Sequence, residues 1–329
     1  MSKQLCTTLW ESFNKVTEAR AALQTLLDNS DQDGFSTDAV ASAIKAFEDQ
    51  KADYETLLKT AATLPDGRAI YATDYLALCK LAADNSLNFE AVLKKLNTNS
   101  INTVGRLTIL DLTNLGLSNI SALKHLTELT ELLLGGNQIE DISPIQNLTR
   151  LTTLYLNNNK IANISAIQDL TSLTTLSLGA NNIVDISSIQ KLTALTTLDL
   201  FCNQIVKISP LQNLKALNSL RLDNNQIEDI RSLQYLTGLT KLYLTYNKIS
   251  DIDSIQHLTA LSWLNLSNNQ IVNIQPVQNL TGLTRLWIDD NQIVDISPIL
   301  HLSAHTISYE NNPLSYASVA LLAQRSENE

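Results

Sequence analysis

From Leu107 onward the chain repeats itself every 22 residues, and that period leaves very few folds open to it. Units begin at Leu107, Leu129, Leu151, Leu173, Leu195, Leu217, Leu239, Leu261 and Leu283. The copy from Leu151 to Ser172 reads LTTLYLNNNKIANISAIQDLTS, with apolar residues at unit positions 1, 4, 6, 11, 14, 17 and 20. Positions 4 and 6 carry the period of two that a strand needs. A helix would space its apolar residues three and four apart without interruption. Each unit is therefore expected to form one coil: a strand, a turn and a short return. One coil cannot bury its aliphatic stripe, whereas stacked coils bury it continuously.

Position 9 is Asn at 137, 159, 181, 203, 225, 247, 269 and 291, with Leu115 in the first copy. An amide placed where the strand bends away can donate to one coil and accept from the next, forming a ladder inside the turn. Position 16 holds Pro144, Pro210, Pro276 and Pro298, three of them preceded by Ser. Ser then Pro suits the N-cap and first position of a short helical turn. The residues remaining per unit are too few for a long α-helix, so 3₁₀ turns are expected on that side. After Leu302 the register slips by one: Ile307, Tyr309, Asn312 and Leu314 restore the 4, 6, 9, 11 spacing.

This pattern resembles the leucine-rich-repeat family in its 22-residue subclass, which includes bacterial internalins and the nuclear regulatory subunit of protein phosphatase type one. The wording QIEDISPIQNLTRLTTLYLNNNKI is more like the bacterial members, and the match covers 107–314. The resemblance implies an α/β solenoid, a right-handed horseshoe with a parallel concave sheet and 3₁₀ turns on the convex side, preceded by an all-helical domain. It also implies non-catalytic protein recognition on the concave face.

The expected organisation is a helical domain over 1–104, a solenoid over 105–314, and a capping helix with tail over 315–329. Leu5, Leu9, Phe13, Val16, Leu23 and Leu27 share one face of a first helix; Val40, Ile44, Phe47, Tyr54, Leu58 and Ala61 share one face of a second. This pair, over 3–64, is longer than the internalin cap. Two shorter cap helices are expected over about 70–97.

Composition narrows the function. The 33 acidic residues exceed the 23 basic ones, giving a net charge of −10 with no basic lobe, which disfavours nucleic-acid partners and anionic membranes. No apolar run reaches the ~20 residues of a membrane helix, and MSKQLCTTLWESFNK lacks the apolar stretch of a secretory signal. The expected location is the cytoplasm, or a host reached by a non-classical route. Cys6, Cys79 and Cys202 make neither a disulfide framework nor a zinc site. No cofactor, metal or catalytic residue is expected. The loop Asn29–Gly34 imitates a calcium loop, but Val40 stands where the closing Glu should be, so an ordinary turn is expected. His301 and His305 lack a third ligand, and the five N-x-S/T triplets read as by-products of the repeat.

The outward strand positions carry the functional signal. Position 3 runs Ile109, Glu131, Thr153, Thr175, Thr197, Ser219, Lys241, Trp263, Arg285, and position 5 includes Tyr155, Asp199, Arg221, Tyr243, Asn265 and Trp287. One half is small and hydroxylated, the other aromatic and charged. Aromatic residues with Arg are what interfaces use. The candidate partner-binding residues are accordingly Asp199, Phe201, Arg221, Lys241, Tyr243, Tyr246, Trp263, Arg285 and Trp287. The bland reading is that the rings only buttress neighbouring strands through cation–π contacts. Rival functions are a cytoplasmic regulatory or adaptor subunit of an enzyme such as a phosphatase, and an enzyme whose site lies within 1–104.

Overall fold

The computed structural model describes residues 3–28, 37–61, 70–97, 99–103 and 105–326. The loop at 29–36 and the LPDGR stretch lie outside them. The chain divides into two compact units, 1–112 with 119–129, and 113–118 with 130–329.

The first unit is mainly helical. Helices α1 (Lys3–Asp28) and α2 (Thr37–Ala61) pack against each other, yet Phe13, Val16, Leu23 and Phe47 are only half-buried and Ile44 is exposed. The well-packed part of this unit is α3 (Ala72–Asp84) and α4 (Phe89–Leu93), with β1 (Ile109–Asp111). Tyr75, Leu78, Leu81 and Val92 are fully buried there, and Tyr75 meets Phe89 edge-on at 5.3 Å. Asp74, on the first turn of α3, is also fully buried; it accepts from Leu107 N at 2.8 Å and from Arg106 Nε at 3.1 Å. The Arg106 guanidinium lies 4.8 Å from the Tyr71 ring.

In the second unit nine strands, each three residues long, run parallel in chain order. They are β2 (Glu131–Leu133), β3 (Thr153–Tyr155), β4 (Thr175–Ser177), β5 (Thr197–Asp199), β6 (Ser219–Arg221), β7 (Lys241–Tyr243), β8 (Trp263–Asn265), β9 (Arg285–Trp287) and β10 (Thr306–Ser308). Equivalent residues pair across 22 positions, except that Thr306 pairs with Arg285, 21 residues back, where the register slips. Every residue at positions 1, 4, 6, 11, 14, 17 and 20 of the nine copies is exposed by 3% or less. The expected core is the observed one. Short 3₁₀ turns occupy the return side of each coil, as at Ser143–Ile145 and Ser209–Asn213.

Two local details differ from expectation. The 3₁₀ turns are not capped by the Ser that precedes Pro. Instead an Asp or Asn at position 13, where the unit has one, accepts from the backbone N–H at position 15: Asp141 from Ser143 N (2.8 Å), Asn163 from Ser165 N (2.9 Å) and Asp295 from Ser297 N (2.9 Å). An Asx turn reaches the first free N–H from two residues upstream, and the tight return leaves no room for a longer cap. The Asn ladder forms, but both of its functions face the preceding coil. Asn203 donates to Leu178 O (3.0 Å) and, within its own coil, to Leu200 O (3.1 Å), while it accepts from Ile183 N (3.0 Å). Asn312 takes the same place after the slip, bonding Ile288 O and Ile293 N.

Replacing Asn203 by Leu should therefore cost about 1–3 kcal/mol, because the buried Ile183 N–H loses its acceptor and the Leu178 and Leu200 carbonyls each lose one of two amide donors. Thr175→Ala, on the outward face, should cost less than about 0.5 kcal/mol. Urea denaturation of the two variants decides between them: equal midpoints would contradict the ladder. The last coil is closed by α5 (Tyr316–Ser326), whose buried Ser318 hydroxyl donates to Val294 O and accepts from Ile296 N.

Candidate functional site

The pleat sends positions 3 and 5 of each strand away from the leucine core. Strand pairing then sets Lys241, Trp263 and Arg285 in one row and Asp199, Arg221 and Tyr243 in the next. Side-chain geometry joins the two rows into a continuous stack. Tyr243 and Trp263 meet edge-to-face at 6.4 Å, and Trp263 and Trp287 at 6.3 Å. The guanidinium of Arg221 lies 4.9 Å from the Phe201 ring and 5.7 Å from that of Tyr243. Trp263 takes a cation on each side, Arg285 at 4.3 Å and Lys241 at 5.0 Å. The rings are half-buried, and Arg221, Lys241 and Arg285 are exposed. The structure thus brings together eight of the nine residues singled out from the sequence.

Tyr246 stands apart, on the turn that follows β7. It is 56% exposed and its φ is +54°. Position 8 is left-handed in every coil of the second unit, with Gly136, Asn158, Asn224 and Asn268 as tolerant occupants. Ala180, Cys202 and Tyr246 occupy it against their preference, at a cost of roughly 1–2 kcal/mol each. Cys202→Asn and Tyr246→Asn should each raise stability by about 1 kcal/mol, read as higher urea midpoints. A fall at both positions would show that the side chains, not the backbone, dominate there.

Three supports of the stack lie outside positions 3 and 5: Asp223 and Asp289, which share the outward position 7 with Phe201, and Gly179. Asp223 anchors Arg221 at 3.2 Å, with Asp199 more loosely placed at 3.8 Å. Burial pushes the Asp223 carboxyl above its ordinary range, against the pull of Arg221 and the Thr245 N–H. Burial likewise raises the Tyr243 phenol. Gly179 leaves room for Phe201, whose ring lies where a Cβ would stand. Asp289 ties down the last strands, accepting from Glu310 N at 2.9 Å and from the hydroxyls of Ser267 and Ser308. The signals were present: Arg-Leu-Asp places Arg221 and Asp223 on one side of the chain, and Gly precedes Phe201 by one repeat.

The other end of the sheet is chemically different, with Thr153, Thr175 and Thr197 in a row and a recess of about 480 Å³ lined by residues that include Glu131, Leu133, Tyr155 and Asn157. His301 Nε2 sits 2.9 Å from Gln278 O, which accounts for it without a metal. Among the described residues no cluster of three His, Cys, Asp or Glu side chains could hold a metal, and no helix is long and apolar enough to cross a membrane.

Family models for leucine-rich repeats match residues 127–170, 171–213 and 259–301 (the two-copy model) and 215–271. Internalin C2 from Listeria monocytogenes is 40% identical over 54% of this chain and 78% of its own, with a TM-score of 0.53. The chain belongs to the leucine-rich-repeat family and is internalin-like. The functional domain of InlJ from Listeria monocytogenes is 26% identical (63% of this chain, 50% of that one, TM-score 0.51). A plant ice-binding protein shares the fold at 20% identity, 74% and 88% coverage and a TM-score of 0.63. No curated protein matches the sequence. Leucine-rich-repeat proteins such as internalins and receptor ectodomains serve as protein-interaction modules.

Proposed function

We propose that this internalin-like chain is a non-catalytic binding protein that holds a protein partner on the strand face between Phe201 and Trp287. The observation that carries the reading is the unbroken stack of four rings and three exposed cations on one half of the face, beside a bland hydroxyl row on the other. Fully packed aromatics with Arg at the centre of a patch are the commonest hot-spot chemistry. The leucine core does not require them, since its own positions are filled by Leu and Ile, with a single Val at 277. Tyr246 adds weight: a large ring kept exposed on a strained backbone lowers stability, and such strain is concentrated at functional positions.

The kinship to internalins favours a bacterial protein that engages a host component. The rival is a regulatory or adaptor subunit in a reducing cytoplasm. Its support is the exposed free thiol of Cys202.

Affinity capture with the intact chain, against the Trp263→Ala/Trp287→Ala variant, tests the site. Tyr246→Asn refines it, with tighter folding and an expected threefold to tenfold loss of affinity. Unchanged affinity would remove Tyr246 from the interface.

A further inference from the structure

The three cations of the stack differ in one respect. Arg221 is neutralised by Asp223 and Asp199. Lys241 and Arg285 meet the ring of Trp263, and among the described residues neither is ion-paired. Both are exposed. In a chain with net charge −10 this is a small positive island fixed over aromatic rings. Lying 4.3 and 5.0 Å from one ring centroid, the two charged groups are no more than about 9 Å apart.

Resting on the proposed face, we infer that its partner presents an extended acidic peptide. Its carboxylates lie against Lys241 and Arg285, and an apolar side chain from the same segment packs on Trp287 and Tyr243. The physical argument is complementarity. An exposed cation held on a ring has already lost part of its rotamer freedom, so an added carboxylate orders less than it would on a free lysine. Residues i and i+2 of an extended peptide are about 6.6–6.8 Å apart on one side, within the span of the two cations. A basic segment would face the island and gain nothing. Guanidinium and ammonium groups together accept carboxylates in many geometries, so the class of ligand is set more tightly than its sequence.

The test uses a displayed library of random 12-residue peptides panned on the intact chain, followed by titration of the selected peptides. The expected selection is enriched in Asp and Glu beside aromatic or aliphatic residues. Its affinity should fall at least tenfold in Lys241→Gln/Arg285→Gln, and should weaken between 50 and 500 mM salt. Lys241→Glu/Arg285→Glu should select basic peptides instead. These substitutions are at exposed positions, and melting curves matching the parent secure the comparison. Selected peptides without acidic excess, or affinity indifferent to the Gln pair, would overturn the inference; if Trp263→Ala/Trp287→Ala still abolished binding, the face itself would stand. Binding that survives the Trp pair would overturn the face as well. Failure to enrich any peptide, or quenching of Trp fluorescence by a single-stranded oligothymidine in its place, would also overturn the acidic-peptide inference.

Discussion

Asp74→Ala is expected to lower folding stability by about 3–5 kcal/mol, the range for removing one member of a buried ion pair. Asp74 has no solvent exposure, and its Oδ2 serves both the Leu107 N–H and the Arg106 guanidinium. Leu107 opens the first repeat and is itself fully buried. Alanine would strand the buried Leu107 N–H and leave the Arg106 guanidinium, among the described residues, beside the Tyr71 ring without a carboxylate. Asp74→Asn keeps an acceptor for Leu107 and should cost only about 1–2 kcal/mol. Calorimetry, with circular dichroism following the repeats separately from the helices, reads the effect. A loss below about 1 kcal/mol for the alanine variant would show that water replaces the carboxylate.

Trp263→Ala combined with Trp287→Ala should abolish partner capture. Truncating one central aromatic commonly costs at least ~2 kcal/mol of binding, about thirtyfold in affinity. Two neighbouring anchors need not add, but a loss of at least a hundredfold is expected from the pair. Folding should change much less. The indoles are half-buried and lie outside the leucine core, so what the fold loses is edge-to-face contact worth about 0.5–1.5 kcal/mol per pair. Thr153→Ala with Thr175→Ala is the matched control on the hydroxyl row. Capture retained by the tryptophan variant would place the partner elsewhere. A variant that melts would show that the rings are there to hold strands together.

The two outcomes separate because core and face draw on different parts of the same repeat. Position 4 of each of the nine 22-residue copies is a leucine with no exposure to speak of, and positions 3 and 5 beside it vary freely from Thr to Trp. The repeat constrains the inside and leaves the outside to function.

What the amino-acid sequence determined by itself is the recurring apolar core and the ladder that accompanies it. A coil of 22 residues buries its leucines only if it stacks, so the period alone implied parallel strands, the identity of the core and the Asn ladder, down to the slip that brings Asn312 into place. Each of these depends on local spacing multiplied along the chain. The structure alone decided what happens between neighbours 22 residues apart. Phe201 lies across Gly179, Asp223 holds Arg221, and Trp263 is left with two cations that no carboxylate among the described residues claims. Side-chain direction at an outward position is chosen by the volume and charge of the flanking strands, which no single repeat encodes. The left-handed turn at Tyr246 was hidden for a related reason. Asn and Gly announce such a backbone, but a tyrosine adopts it only because coils on both sides impose their path on it.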